Sequence, residues 1–420
     1  MTALFSRTLK LPCGVELPNR LSKAAMTEGL ATADGIPTAE LARLYRLWSD
    51  GGAGMLLSGN IIIDKDHLER PGNVVIDRPP SPQMHDALVR WATAATHNGN
   101  QFWAQISHAG RQTQKMVNKN PKAPSAVKLG LPGGQFGEPV ALMIDEIHDI
   151  VQRFGICATA VKEAGFTGVQ IHAAHGYLLS QFLSPRSNQR IDAYGGDLAN
   201  RARALLEVVA SVRAAVGPDF PVAVKLNSAD FQKGGLQVAQ WLQEASIDLI
   251  EISGGTYEQP KLLGLAGMEE EEKQNVAQST LMREAYFVDF AVAMREKVSV
   301  PLMVTGGFRQ RAAMEQAIES GSADVIGLGR PMCVMTDAPN QLLNGLDELP
   351  RYENSLSLFP TWLAWLSNLK VLKALAGFAV QYWFYGQIDS IGRTGAADPK
   401  LTVFEASKQT MALQKRLTKK

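Results

Sequence analysis

The chain has 420 residues, 42 basic against 41 acidic, a formal net charge of +1 and 45% hydrophobic residues. That balance supplies no field to gather nucleic acid or an acidic membrane surface, and the apolar share is ample for a large core. Cys13, Cys157 and Cys333 are scattered, without a CxxC pair, which argues against a disulfide framework and a zinc or iron–sulfur cage. The N-terminal MTALFSRTLKLPCG has no continuous apolar core before a cleavage site, so a cytoplasmic protein in a reducing compartment is expected.

LKLPCGVELP (9–18) predicts a short hairpin across the floor of the fold. Eight apolar runs follow: RLSKAAMT (20–27), AGMLLSGNIII (53–63), NQFWAQIS (100–107), TGVQIHAA (167–174), FPVAVKLN (220–227), IDLIEISG (247–254), VPLMVTGG (300–307) and ADVIGLGR (323–330). Such runs suit strands buried on both faces, as in a parallel sheet. Helical patterns occupy 38–52, 81–99, 144–165, 200–217, 235–246, 280–298, 309–321 and 338–346. Openings such as Thr38 and Ser81-Pro82, and closing glycines, are helix start and stop signals. Eight strand–helix units predict an α/β fold, a (β/α)8 TIM barrel over residues 20–345 within a domain 1–346.

Residues 347–420 form a predicted C-terminal helical extension, packed on the barrel or on a partner subunit. Its apolar stretch, 359–388, is interrupted by Lys370 and Lys373, so docking is expected rather than membrane crossing. The basic end, ASKQTMALQKRLTKK, is expected to fray. Two long insertions, 108–143 and 255–279, suit lids or binding loops. The second contains Tyr257, a candidate for lining a substrate, and the acidic run 269–272, read as a solvated face.

Sites in this fold lie at the carboxyl ends of the strands. There the sequence gathers Thr27, Gly59, Asn60, Gln105, His108, His172, His175, Lys225, Gly306, Gly307, Gly329 and Arg330. VTGGFRQ (304–310) and GLGRPM (327–332) close the last two strands, where backbone N–H groups and Arg330 suit a phosphate. Tight βα turns would need the same glycines. VQIHAAHGYLLSQFLSP (169–185) puts His172, His175 and Tyr177 together just past a strand. Three readings compete: a metal site, a pair of packed histidines, or a proton-transfer site. HxxH alone is weak for zinc, and no carboxylate lies in the stretch. Paired imidazoles can hold developing charge on a substrate oxygen, and a phenol can donate a proton to carbon. Lys225, inside an apolar run, reads either as a Schiff-base nucleophile or as a fixed positive charge.

The motifs LPNRLSKAAMTEG (17–29), QISHAGRQ (105–112), IHAAHGYLLSQFLSPRSNQRIDAYGGDLANRARALLEVV (171–209), VTGG (304–307) and GLGR (327–330) resemble the old yellow enzyme family of FMN-dependent oxidoreductases. The resemblance runs over about residues 3–340. It implies an NAD(P)H:flavin oxidoreductase, ene-reductase-like, with FMN tightly but non-covalently bound across the barrel mouth. It implies flavin contacts from Ala25, Met26, Thr27 and Gly59, with Thr27 on the flavin O4. Gln105 would bond the pyrimidine edge, Lys225 would sit near N1 and O2, and Gly306, Gly307, Phe308, Gly329 and Arg330 would hold the phosphate. His172 and His175 would hold a substrate carbonyl, and Tyr177 would protonate it. Hydride would pass from NAD(P)H through flavin N5 to an activated alkene, an α,β-unsaturated carbonyl or a similar oxidant. Lys225 replaces the arginine of many members, and Ala24-Ala25 stands where proline is frequent. The iron–sulfur cysteines of the larger reductases are missing, which implies a single-cofactor member. The expected partner is a small-molecule substrate, with a homo-oligomer left open and no nucleic acid or integral membrane segment. Two alternatives stay open: a non-catalytic barrel binding FMN or a phosphoryl ligand, and a Schiff-base lyase using Lys225.

Overall fold

The computed structural model describes residues 3–130, 134–227, 234–253, 291–358 and 370–418. Eight parallel strands close a barrel: β1 (Leu21–Lys23), β2 (Met55–Ile62), β3 (Gln101–Ser107), β4 (Gly168–Ala173), β5 (Val222–Asn227), β6 (Leu249–Ser253), β7 (Leu302–Thr305) and β8 (Val325–Leu328). Each strand pairs with its sequence neighbour, and β8 pairs with β1, so the ladder has no open edge. The strands are shorter than the apolar runs, most often by one or two residues at the amino end. In the first run only Leu21–Lys23 is strand; the Ala24 N–H still donates to the Leu328 carbonyl at 2.9 Å, and residues 25–27 continue without regular structure.

The helices are α1 (Ala39–Asp50), α2 (Pro82–Ala95), α3 (Ile144–Glu163), α4 (Leu178–Leu183), α5 (Leu198–Val216), α6 (Gly235–Glu244), α7 (Arg311–Glu319), α8 (Ala338–Leu343), α9 (Lys370–Thr394) and α10 (Val403–Leu417). Side-chain caps start several of them: Thr38 accepts from the Leu41 N–H and Ser81 from that of Met84. Asp197 caps α5, which therefore begins two residues before the predicted start at 200. The short α4, inside the fourth βα connection, has no counterpart in the sequence expectation. Of the predicted helix 280–298, residues 291–298 are described, and 291–295 are helical. Tyr257, the loop 255–279 and its acidic run lie outside the described residues.

Side chains alternate along the strands, and this alternation makes the site. One inward level is apolar: Met55, Leu57, Trp103, Ala223, Leu249, Met303 and Val325. Leu9–Lys10 and Glu16–Leu17 pair antiparallel beneath it, bringing Leu11 and Leu17 against the same cluster. The predicted floor hairpin is present, tied by the Cys13 N–H to Asp248 Oδ1 at 2.9 Å. Two residues further along, the inward side chains turn polar: Gln105, Lys225 and Glu251, with Gln170 beside them on β4. Two residues beyond that come Ser107, His172, Asn227 and Ser253. Outside the barrel, Tyr45, Trp48, Trp91, Phe102 and Phe166 form an aromatic cluster between α1, α2 and the sheet. Burying each such ring contributes roughly 2–3 kcal/mol.

The C-terminal helices pack on this chain's own barrel. Arg43 on α1 donates to the Gly392 carbonyl of α9 at 2.9 Å. Trp383 donates from Nε1 to the Leu401 carbonyl at 2.7 Å. The expected fraying of the basic end is overturned. Thr402 and Glu405 form a capping box, and α10 buries Val403, Ala406, Thr410 and Gln414. No helix among the described residues is long and apolar enough to cross a membrane.

Candidate active site

The His172–Tyr177 turn leaves β4 by a strained path. His175 adopts φ 58° and Gly176 φ 76°, consecutive left-handed residues of which only the second is glycine. Two amides hold the turn: Gln112 Nε2 donates to the His175 carbonyl at 2.7 Å, and Gln181 Nε2 to the Gly176 carbonyl at 2.7 Å. The turn folds three rings together. His172 and His175 have ring centroids 5.0 Å apart, and His172 and Tyr177 4.9 Å apart and perpendicular. His172 Nδ1 accepts the Ala174 N–H at 3.1 Å, which leaves the proton on Nε2 as a donor. His175 Nε2 meets Ser253 Oγ at 2.9 Å. Burial pushes both imidazoles well below their usual pKa, with the Lys225 charge adding to the effect on each, so both are neutral near pH 7.

Beneath these rings runs a buried polar chain. Gln105 Nε2 donates to Gln170 Oε1 at 2.7 Å, and Gln170 Nε2 donates to Glu251 Oε2 at 2.7 Å. Lys225 Nζ pairs with Glu251 Oε1 at 2.9 Å. Sequence reasoning missed Gln170 and Glu251. Their signal was present: each is a polar residue in an apolar run, two positions before a mouth residue on the same face.

At the β1 end, Ala25, Met26 and Thr27 are partly buried at the mouth. Asn60 Nδ2 lies 3.5 Å from Thr27 Oγ1, and Met26 Sδ lies 3.3 Å from Cys333 Sγ. Gly59 is required by space: a Cβ there would meet Glu28 Oε2 at 2.2 Å. Its N–H donates to Glu28 Oε1 at 2.9 Å, and Tyr45 donates to the same oxygen. Lys23 Nζ lies 3.8 Å away from it. Burial pushes the Lys23 ammonium down to about 8 against the opposing pull of Glu28.

At the β7 and β8 ends, Gly306 and Gly307 have φ 153° and 80°. A Cβ on Gly329 would meet no atom within 4 Å, so the backbone there faces open space. Phe308 is buried. Arg309 Nη2 and Arg330 Nη1 both reach Glu353 Oε1, at 2.9 and 3.2 Å. Sequence reasoning missed Arg309, although it stands inside VTGGFRQ, and Glu353, which lies outside the motifs quoted for phosphate.

His172 and His175 are not where ligand atoms converge for an ion. Among the described residues that arrangement belongs to Asp64, His67 and His108. His67 Nδ1 and His108 Nε2 lie 3.0 and 3.8 Å from Asp64 Oδ2, with the rings stacked at 4.4 Å. The other ring nitrogens accept backbone N–H groups, His67 from Lys122 at 2.8 Å and His108 from Gly110 at 3.0 Å. Each proton therefore sits on the nitrogen facing Asp64, where an ion would need the lone pair. The cluster is a clasp holding the 108–143 loop.

The mouth carries buried polar atoms that no described residue satisfies: Asn60 Oδ1, Ser107 Oγ, both amide atoms of Asn227 and Thr305 Oγ1. Such atoms are expensive in isolation and fit a polar ring system laid across the barrel. A ring edge alternating acceptors and one N–H suits Gln105 and Lys225, and a phosphate suits Arg330 and the glycine ends. The fold and site define a flavin-binding (β/α)8 oxidoreductase.

Residues 9–348 match the NADH:flavin oxidoreductase / NADH oxidase family. The chain is 34% identical over 416 residues to the NADH-dependent flavin oxidoreductase iccE of Talaromyces variabilis, covering 93% of this chain and 99% of that one. It is 39% identical over 349 residues to iliE of Neonectria sp. (strain DH2), covering 78% of this chain but 45% of that relative. The old yellow enzyme homologue from Zymomonas mobilis superposes with a TM-score of 0.68 at 26% identity, covering 84% and 95% of the two chains. The chain belongs to the NADH:flavin oxidoreductase / NADH oxidase family, and the old yellow enzyme resemblance holds. Its cofactor is FMN, its reductant a reduced nicotinamide, and it is an oxidoreductase.

Proposed function

We propose that this enzyme reduces activated alkenes, α,β-unsaturated carbonyl compounds above all, with NADH as the physiological reductant. The observation that carries this reading is the convergence of His172, His175 and Tyr177 above the polar chain of the barrel. FMN, when bound, supplies the hydride chemistry. His172 donates from Nε2 to the substrate carbonyl oxygen, and His175 borders the same oxygen. Because both rings are neutral, they act as hydrogen-bond donors and keep their protons. Tyr177 delivers the proton to the carbon next to the carbonyl.

Thr27, Ala25, Met26 and Gly59 border one side of the flavin, and Asn60 on Thr27 Oγ1 leaves that hydroxyl free to donate. Gln105 and Lys225 take the pyrimidine edge. Gly306, Gly307, Phe308, Gly329 and Arg330 take the phosphate, with Arg309 added. The Lys225–Glu251 ion pair supports a fixed charge over a Schiff-base nucleophile, since a paired ammonium lacks the free lone pair. The relatives' names, NADH-dependent flavin oxidoreductase, support NADH. Three free thiols support a cytoplasmic setting. Residues 1–346 act as the catalytic barrel and 347–420 as its extension.

The test is anaerobic turnover of 2-cyclohexen-1-one with NADH by the yellow holoenzyme, followed by product analysis. Stoichiometric cyclohexanone supports the reading. A holoenzyme that NADH bleaches but that enones do not reoxidise, while quinones do, overturns it.

A further inference from the structure

We infer that Glu251 is a positioning residue that fixes which face of the Gln105 amide meets the flavin and offsets the charge of Lys225. This rests on the proposal that Gln105 and Lys225 meet the pyrimidine edge. Glu251 is fully buried at one level of the barrel interior, next to Lys225 across the β5–β6 ladder. Gln105 and Gln170 are neighbours across the β3–β4 ladder. Above and below, the chain is enclosed by the histidines and the apolar floor, so water does not screen it.

The polarity of the chain follows from chemistry. An ionised carboxylate only accepts hydrogen bonds. Glu251 therefore obliges Gln170 to point its NH2 inward, at 2.7 Å. That turns the Gln170 carbonyl toward Gln105, which must answer with its own NH2, again at 2.7 Å. The atom of Gln105 left for the mouth is Oε1, an acceptor. The pyrimidine edge of a flavin carries one N–H, at N3, between two carbonyl oxygens. A distant carboxylate thus sets an acceptor for that N–H, through two amides that alone have no preferred orientation.

The same carboxylate acts on charge. Lys225 lies 2.9 Å from Glu251, so the flavin meets a paired ammonium rather than a bare one. A bare positive charge there would favour the reduced, anionic ring more strongly. Glu251 therefore keeps the flavin a stronger reductant than Lys225 alone would allow.

The experiment compares the full-length wild type with Glu251→Gln and Gln170→Leu. Two quantities are read: the flavin midpoint potential against reference dyes, and apoprotein affinity for FMN and for N3-methyl-FMN by fluorescence quenching. Glu251→Gln is expected to raise the equilibrium constant for two-electron reduction about tenfold or more, about 30 mV. It is also expected to erase most of the wild-type preference for FMN over the N3-methyl analogue. Gln170→Leu, which leaves the ion pair intact, is expected to erase that preference with little change in potential. If Glu251→Gln fails to fold, Glu251→Asp should move the potential the same way by less. An unchanged or lowered potential in the Glu251 variants, or a full preference retained in Gln170→Leu, overturns the inference. A wild type that makes no distinction between the analogues at N3 would instead undo the placement of Gln105 on which it rests.

Discussion

Gln112 donates a 2.7 Å hydrogen bond to the carbonyl of His175, the site residue held at φ 58°. A left-handed non-glycine backbone costs on the order of 1–3 kcal/mol and persists only where neighbours enforce it. Here the enforcement comes from a loop that shares the QISHAGRQ motif, not from the histidine stretch. Gln112→Leu should leave that carbonyl unsatisfied, at roughly 1–3 kcal/mol of stability, and let His175 relax from the substrate oxygen. Expected are a Tm lower by several degrees and an enone kcat/KM reduced about tenfold, with FMN retained. Gly176→Ala should act through the same contact, because its Cβ would meet Gln112 Nε2 at 2.7 Å. The double variant should then be little worse than either single one. Strict additivity of the two, or full kcat/KM in Gln112→Leu, would sink this account.

The barrel was legible because its strands read as apolar runs and its helices as capped periodic segments. The site was legible where chemistry stands at strand ends, as with His172, His175 and Lys225. What stayed hidden is polar structure whose meaning depends on a partner far along the chain. Gln170 and Glu251 are 81 residues apart, and each alone reads as a flaw in an apolar run. Glu353 meets Arg309 and Arg330 from beyond the barrel, where no periodic signal points to it. The order of the basic end in α10 was misjudged because a basic composition outweighed the Thr402–Glu405 cap.

Tyr177 sits perpendicular to His172 at the entrance to α4; in the proposed reaction its phenol serves the alkene but not the nicotinamide. Tyr177→Phe should therefore leave anaerobic bleaching by NADH close to the wild-type rate. Reoxidation by 2-cyclohexen-1-one should slow by about 10²–10⁴, the usual worth of a placed general acid. Rapid-mixing absorbance separates the two half-reactions. Equal slowing of both would mean that Tyr177 shapes the pocket rather than donating the proton.

Acid should destabilise the fold through its buried histidines. Burial, with the neighbouring His67 charge, pushes His108 down to about 4, and His172 and His175 lie well below their usual value. In each, the folded-state pKa is below the unfolded value of about 6.5, so the unfolded chain binds the proton first. Their contribution is intact above about pH 6.5 and is lost as pH falls. For His108 the window runs from about 6.5 to 4 and amounts to on the order of 3 kcal/mol at its lower end. Asp64 behaves differently. Burial pushes its carboxyl up, but bonds from His108 and His67 prevail and hold it well below the usual range, so its contribution is lost only below about pH 4. Urea midpoints of the holoenzyme between pH 8 and 4.5 should fall steadily below pH 6.5. His108→Gln should flatten that slope by about one proton. A wild-type profile flat to pH 4.5 would contradict the burial argument.

Arg70 links the C-terminal extension to the Thr27 segment proposed to border the flavin. Its guanidinium lies 3.6 Å over the Tyr385 ring of α9, and Nη2 donates to the Thr27 carbonyl at 3.0 Å. Gly29, at φ 70°, makes room: a Cβ there would meet Nη2 at 2.6 Å. A desolvated cation–π contact of this kind contributes up to about 2 kcal/mol, and here it also sets the plane from which Arg70 reaches Thr27. Tyr385→Leu should therefore lower Tm by several degrees and speed FMN release about tenfold, because Thr27 loses its backbone tether. Arg70→Leu should do the same or more. Tyr385→Phe keeps the ring face and should behave almost as wild type. Fluorescence recovery of released FMN gives the rate directly. If Tyr385→Phe and Tyr385→Leu lose FMN equally fast, the hydroxyl matters and the stacked guanidinium does not. If neither changes FMN release while Tm falls, the extension stabilises the barrel without reaching the flavin.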